Sequence, residues 1–184
     1  EGLIHVLIRG CEDPCVEEDH LLVLWSLLTL PLYCVQENSS VKTILFQLCL
    51  NSSPSIQQMI LLIFLKYFAS SSDLFEQVCW LTTRILDDTT LIAASLVLRE
   101  WMLTHSLQVA SLDPSIWMAF SLFLLNSSPS VLLTLIPALP SLLPLSSSPL
   151  HQIILTILER TVSSLSLTLS PHTRSQLLLI ISSL

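Results

Sequence analysis

Four residues near the start of the chain have the side chains that bind zinc: His5, Cys11, Cys15 and His20. Imidazole nitrogens and thiolates are the usual donors of a tetrahedral zinc site, but the spacing argues against one here. Cys-x3-Cys stands without the second close pair of a finger-type site, Glu12 and Asp13 between the cysteines read as an acidic loop, and His5 falls in an apolar helical run. A serine hydrolase would draw on His5, His20, His105, His151 or His172, yet its serine needs a strained turn beside an oxyanion hole, and no G-x-S-x-G occurs. Asp87 and Asp88 are candidates for an acid–base pair and read better as a turn between helices. Gly2 and Gly10 are the only glycines, which leaves no glycine-rich loop to cradle a phosphate. The expectation is a non-enzymatic protein with no catalytic residue, metal or cofactor.

The elements that would carry these residues can be read from helix starts. Ser or Asp before a helix accepts orphan backbone N–H groups, and Pro in the first helical position has no donor to waste. Ser53-Pro54, Asp113-Pro114, Ser128-Pro129, Ser148-Pro149 and Ser170-Pro171 all precede apolar runs. Asp73 with Glu76 three residues on has the form of a capping box, and Ser39 or Ser40 and Asp88 complete the set. The starts fall near 39, 53, 73, 88, 113, 128, 148 and 170, in alternating short and long steps, so that every second start recurs after 34 to 42 residues. A helix pair at that period is the arithmetic of a helical solenoid.

Leu50-Asn51-Ser52-Ser53-Pro54-Ser55-Ile56 recurs as Leu125-Asn126-Ser127-Ser128-Pro129-Ser130-Val131, an offset of 75 residues, or two such periods. With glycine absent from this region, Asn51 and Asn126 are expected to close helices in the left-handed conformation, a reading preferred to glycosylation of the N-x-S sequons at Asn38, Asn51 and Asn126. Ile56 to Phe68 is apolar nearly all round and should be central, whereas Leu150, Ile153, Ile154, Ile157, Leu158, Val162 and Leu165 mark a single buried face. Pro137, Pro140 and Pro144 should break or kink the helix they interrupt, making Leu132 to Leu145 a candidate docking surface or a degenerate repeat. Strict two-residue alternation is missing, so no sheet is expected.

Period and cap placement over residues 15–184 resemble the armadillo and HEAT repeat superfamily. The tetratricopeptide pattern shares the shorter period, but its small, aromatic and proline positions do not recur at fixed offsets. The resemblance implies an all-α solenoid of antiparallel helix pairs, about 8–10 helices in a single repeat domain over 1–184, cut from a longer chain. The Leu- and Ser-rich texture is similar to that of large vertebrate scaffolds with degenerate repeats, including those of meiotic break formation.

Composition bounds the partner. Hydrophobic residues are 52% and charged residues 11%, against roughly 25% charged in ordinary domains, so apolar surface must meet neighbouring repeats, a partner or lipid. The net charge of −7 and the scattered basic residues argue against direct nucleic-acid binding. The stretch from Asp113 to Glu159 has no charge between its ends, but serines and prolines interrupt it and no unbroken apolar run reaches the roughly eighteen residues of a membrane span. A protein partner, offering a helix or peptide, is expected; the alternative is a membrane-associated helical bundle. Cys34, Cys49 and Cys79 lie in apolar patterns as small hydrophobes, which fits an intracellular nuclear or cytoplasmic setting. Candidate partner-binding residues are Trp101 and Trp117, which flank the longest connection between helices and should be partly exposed, and Lys42, Lys66, Arg84 and Arg99, which would form a basic ladder for an acidic peptide.

Overall fold

The structure, a computed structural model, describes residues 17–32, 35, 39–85, 87–105 and 112–138, with further helical positions at 152, 156, 159, 160, 163, 171, 175, 178 and 179. The expectations for His5, Cys11, Cys15, Cys34, Asn38, Pro140, Pro144, His151 and His172, and the start at Ser148, lie outside the described residues, as do residues 106–111 of the connection between Trp101 and Trp117.

The described elements are helical throughout, without a strand. Seven have defined bounds: α1 (Glu17–Thr29), α2 (Ser39–Asn51), α3 (Pro54–Ile63), α4 (Leu74–Thr82), α5 (Asp88–Thr104), α6 (Pro114–Asn126) and α7 (Pro129–Leu135), with α3 running on as a π-helical segment, Phe64–Phe68.

Three helices begin at a residue held extended by the proline next to it: Ser53 (φ −63°, ψ 159°), Asp113 (φ −61°, ψ 140°) and Ser128 (φ −67°, ψ 158°). The side chains then diverge from expectation. Asp87 and Asp113 cap, accepting from the Thr90 N–H at 2.9 Å and the Ser115 N–H at 2.8 Å, but neither Ser53 nor Ser128 makes a side-chain cap bond. The capping box at Asp73 does not form either. Asp73 has helical backbone angles and no cap bond, because its carboxylate accepts instead from the Lys42 ammonium, from Ser71 Oγ at 2.6 Å and from Gln77 Nε2 at 3.1 Å.

Helix ends bring another correction. No described residue has positive φ, so Asn51 and Asn126 do not close their helices in the left-handed conformation. Each is the last helical residue, and the serine after it folds back: Ser52 Oγ donates to the Leu48 carbonyl and Ser127 Oγ to the Phe123 carbonyl at 2.6 Å. A hydroxyl that occupies an orphan carbonyl of the last turn removes the need for a left-handed residue.

Packing joins α1 to α3, α3 to α5 and α5 to α7, while α2 lies on α3 and α4 lies on both α5 and α6. The expected central helix is central: Ile56, Ile60, Leu61, Ile63, Phe64, Tyr67 and Phe68 are all buried, each large side chain worth about 1.5–3 kcal/mol of transfer free energy. Phe75 joins α4 to its neighbours through rings, with centroids 4.8 Å from Trp101 on α5 and 5.3 Å from Phe120 on α6. Polar ties run between the same helices. Tyr67 Oη lies 2.8, 3.0 and 2.8 Å from the carbonyls of Leu27, Leu28 and Leu30 at the end of α1, and Gln58 Nε2 donates to Thr89 and Thr90 at the start of α5 at 2.8 and 3.2 Å.

Pro137 acts as its chemistry dictates. It cannot donate to the helical ladder, and α7 stops at Leu135 and tightens into a 3-10 turn over residues 136–138. In the described part of the docking stretch expected there, Leu132, Leu135, Ile136 and Ala138 are buried, Leu133 and Thr134 are half-buried and Pro137 is exposed.

Candidate functional site

The basic residues do not form a free ladder. Lys42, at the start of α2, donates to Ser71 Oγ at 2.9 Å and pairs with Asp73. Lys66 donates to the Leu28 carbonyl and its ammonium lies 4.8 Å from the Tyr67 ring centre, a cation placed at the carbonyl end of α1, where the helix dipole favours it. Arg99 pairs with Glu100 at 2.7 Å. Arg84 is exposed just beyond α4.

Trp101 and Trp117 are not partly exposed as expected. Trp101 (0% exposed) and Trp117 (7%) are core residues, while Trp25 (61%) and Trp80 (48%) are exposed. Trp101 is held on three sides: its indole N–H donates to the Ser71 carbonyl at 2.8 Å, Phe75 packs on it, and the His105 ring stacks 4.7 Å away at 15°. His105 in turn places Nδ1 3.2 Å from the Trp101 carbonyl and Nε2 3.1 Å from that of Ser70. Adjacency to a long connection therefore misled, and the helical wheel was the better signal. Phe75, Val78, Cys79 and Thr82 mark the buried stripe of α4, which leaves Trp80 off it. On α6 the same reasoning leaves Met118, Leu122 and Leu125 outside, all exposed.

Clefts open among the described residues. One, of about 420 Å³, is walled by His20, Gln47, Leu48, Asn51, Ser52, Ser53 and Ile56. It gathers a histidine with two serines. Another, of about 400 Å³, lies where α4 and α6 end and α5 begins, with Asp88 on its wall.

Three carboxyls are held below their usual range. At Asp73 burial pushes the other way but is outweighed by the bonds from Lys42 and Ser71 and the Lys42 charge. At Asp87 the Thr89 hydroxyl and then the Thr90 N–H lower it, and at Asp113 the Ser115 hydroxyl and N–H do so. Each stabilises the charged form at a helix start. Burial pushes the Cys49 thiol up to about 12 and raises that of Cys79 as well, so both are protonated and pack as small hydrophobes, as expected. Asp87 precedes α5 as its cap, and Asp88, the start expected from the sequence, is the first residue of the helix.

No group of three His, Cys, Asp or Glu side chains among the described residues is placed to hold a metal ion, and no described helix is long and apolar enough to cross a membrane. No family model matches the chain, and no curated protein and no solved structure matches it.

Proposed function

We propose that the chain is a stretch of α-solenoid of the armadillo or HEAT kind, serving as a non-enzymatic scaffold that docks a helix or peptide of a protein partner. The observation that carries this reading is the sequence α1, α3, α5, α7, in which each second helix packs on the next. The ties across it span 31 residues from Gln58 to Thr89, 40 from Tyr67 to Leu27 and 39 from Ser95 to Thr134, close to the 34 to 42 residues between alternate helix starts. Such a row buries a continuous core and leaves long outer faces for partners. Exposed Trp25, Trp80 and Met118 supply the apolar surface that a partner would cover. The resemblance in texture to meiosis inhibitor protein 1 supports a role in a meiotic recombination complex, in the nucleus or cytoplasm.

A detergent-free affinity purification of the full-length protein from its native tissue tests this. A soluble partner at fixed stoichiometry is expected; recovery only from the membrane pellet would overturn the scaffold in favour of a membrane-associated bundle.

A further inference from the structure

The cleft of about 400 Å³ at the joint of α4, α5 and α6 is within the roughly 300–1,000 Å³ of pockets that seat small groups. Its walls combine two chemistries. Leu91, Leu122 and Phe123 are apolar, while Thr83, Asp88 and Asn126 are polar. Both α4 and α6 end at these walls, and the carbonyl end of a helix carries partial negative charge. The amino end of α5 lies at the same corner, but the Asp87 carboxylate already meets it through the Thr90 N–H. The neighbouring Asp88 is exposed, and its charge is left for something else. Arg84, close by in sequence, is not on the wall.

Beside the cleft wall, at the carbonyl end of α6, Arg160 of this chain donates from Nη1 to the Leu125 carbonyl at 3.2 Å, a guanidinium meeting the partial negative charge of that helix end. The rest of the molecule points to the same sign of partner. Lys42 and Arg99 are paired with carboxylates and Lys66 lies on a carbonyl, which leaves Arg84 alone of the ladder that would have received an acidic peptide, and the net charge is −7.

We propose that this cleft receives an arginine side chain from the partner protein, its aliphatic stem against Leu91, Leu122 and Phe123 and its guanidinium on Asp88 and the Asn126 amide oxygen. The assignment rests on the scaffold reading and names the chemistry of what is docked. Long cationic side chains lay their stems on apolar surface while the head stays polar, and the planar guanidinium suits a carboxylate beside further acceptors.

The test is an NMR titration of the whole chain with N-acetyl-arginine methylamide and, in parallel, its citrulline analogue, which has nearly the same shape and no charge. The arginine probe should shift the amides of Asp88, Leu122 and Asn126 saturably and weaken as salt is added. Asp88→Asn should raise its Kd about tenfold, the scale of one lost charge-assisted bond, and Leu122→Ala, at an exposed position, should raise it less. Equal binding of the citrulline probe, shifts confined to other surfaces, or an unchanged Kd in a folded Asp88→Asn protein would each overturn the proposal. The purification separates the two readings. A native partner retained equally by Asp88→Asn overturns the arginine cleft and leaves the scaffold standing, whereas absence of any soluble partner overturns the scaffold while the titration can still succeed.

Discussion

The two copies of Leu-Asn-Ser-Ser-Pro-Ser, at 50–55 and 125–130, fold alike and lead to different ends. Both close a helix at Asn, return a serine hydroxyl to the carbonyl four residues back, hold the next serine extended and start a helix on Pro. After the first copy the helix continues through Phe68 and is buried on most sides. After the second it stops at Leu135, ahead of Pro137. Local sequence sets where a helix begins; how far it runs is decided by the residues further along it. The copies also differ in what their polar atoms meet. Gln57 donates back to the Cys49 carbonyl at 3.0 Å, and its counterpart is the buried Leu132.

The sharpest break between the two regions should appear in the core behind the first junction. Ile60→Ala, at a position with no exposure, is expected to cost about 2–5 kcal/mol in urea unfolding; a cost below that range would mean α3 is not the central element. Next in size, Tyr67→Phe removes the hydroxyl that meets the carbonyls of Leu27, Leu28 and Leu30 and should cost about 0.5–1.5 kcal/mol, the net worth of a hydrogen bond, since the Leu27 carbonyl keeps the Leu30 N–H and the Leu28 carbonyl keeps Lys66. Hydrogen exchange should then accelerate in α1 and not in α6.

The shared serine device predicts equal losses. Ser52→Ala and Ser127→Ala should each cost about 0.5–1.5 kcal/mol, and a marked inequality would show that the two junctions are not equivalent. Ser128→Ala is expected to be neutral or slightly stabilising, because Ser128 Oγ is buried with no partner and its removal relieves a desolvated hydroxyl. Acid should act at helix starts in both regions. The carboxyls of Asp73, Asp87 and Asp113 are lowered from 3.8 in the folded chain, so their contribution is complete above the unfolded value and is lost as pH falls through the lowered native ones. Asp87→Asn and Asp113→Asn should flatten that acid limb of the stability curve; an unchanged limb would remove the caps from the account.

Helix starts were the most legible part of the sequence, because Pro fixes the residue before it whatever the tertiary context. The burial of Ile56–Phe68 was legible for a similar reason: a helix apolar all round has nowhere else to go. The capping box at Asp73 was misread because the ammonium that claims its carboxylate comes from Lys42, thirty-one residues away. The exposure of Trp25 and Trp80 could have been found by asking which positions fall off the buried stripe. The cleft carrying Asp88 was not legible, since its walls come from the ends of three helices that only tertiary packing brings together.

Tyr67 offers one proton to three carbonyls at nearly the same distance. The tether therefore sets how far α1 lies from α3 more tightly than it sets which residue of α1 stands opposite, since a slip of one position leaves the hydroxyl an acceptor to donate to. Register tolerance of this kind lets successive helices adjust their phase while the spacing between them is kept.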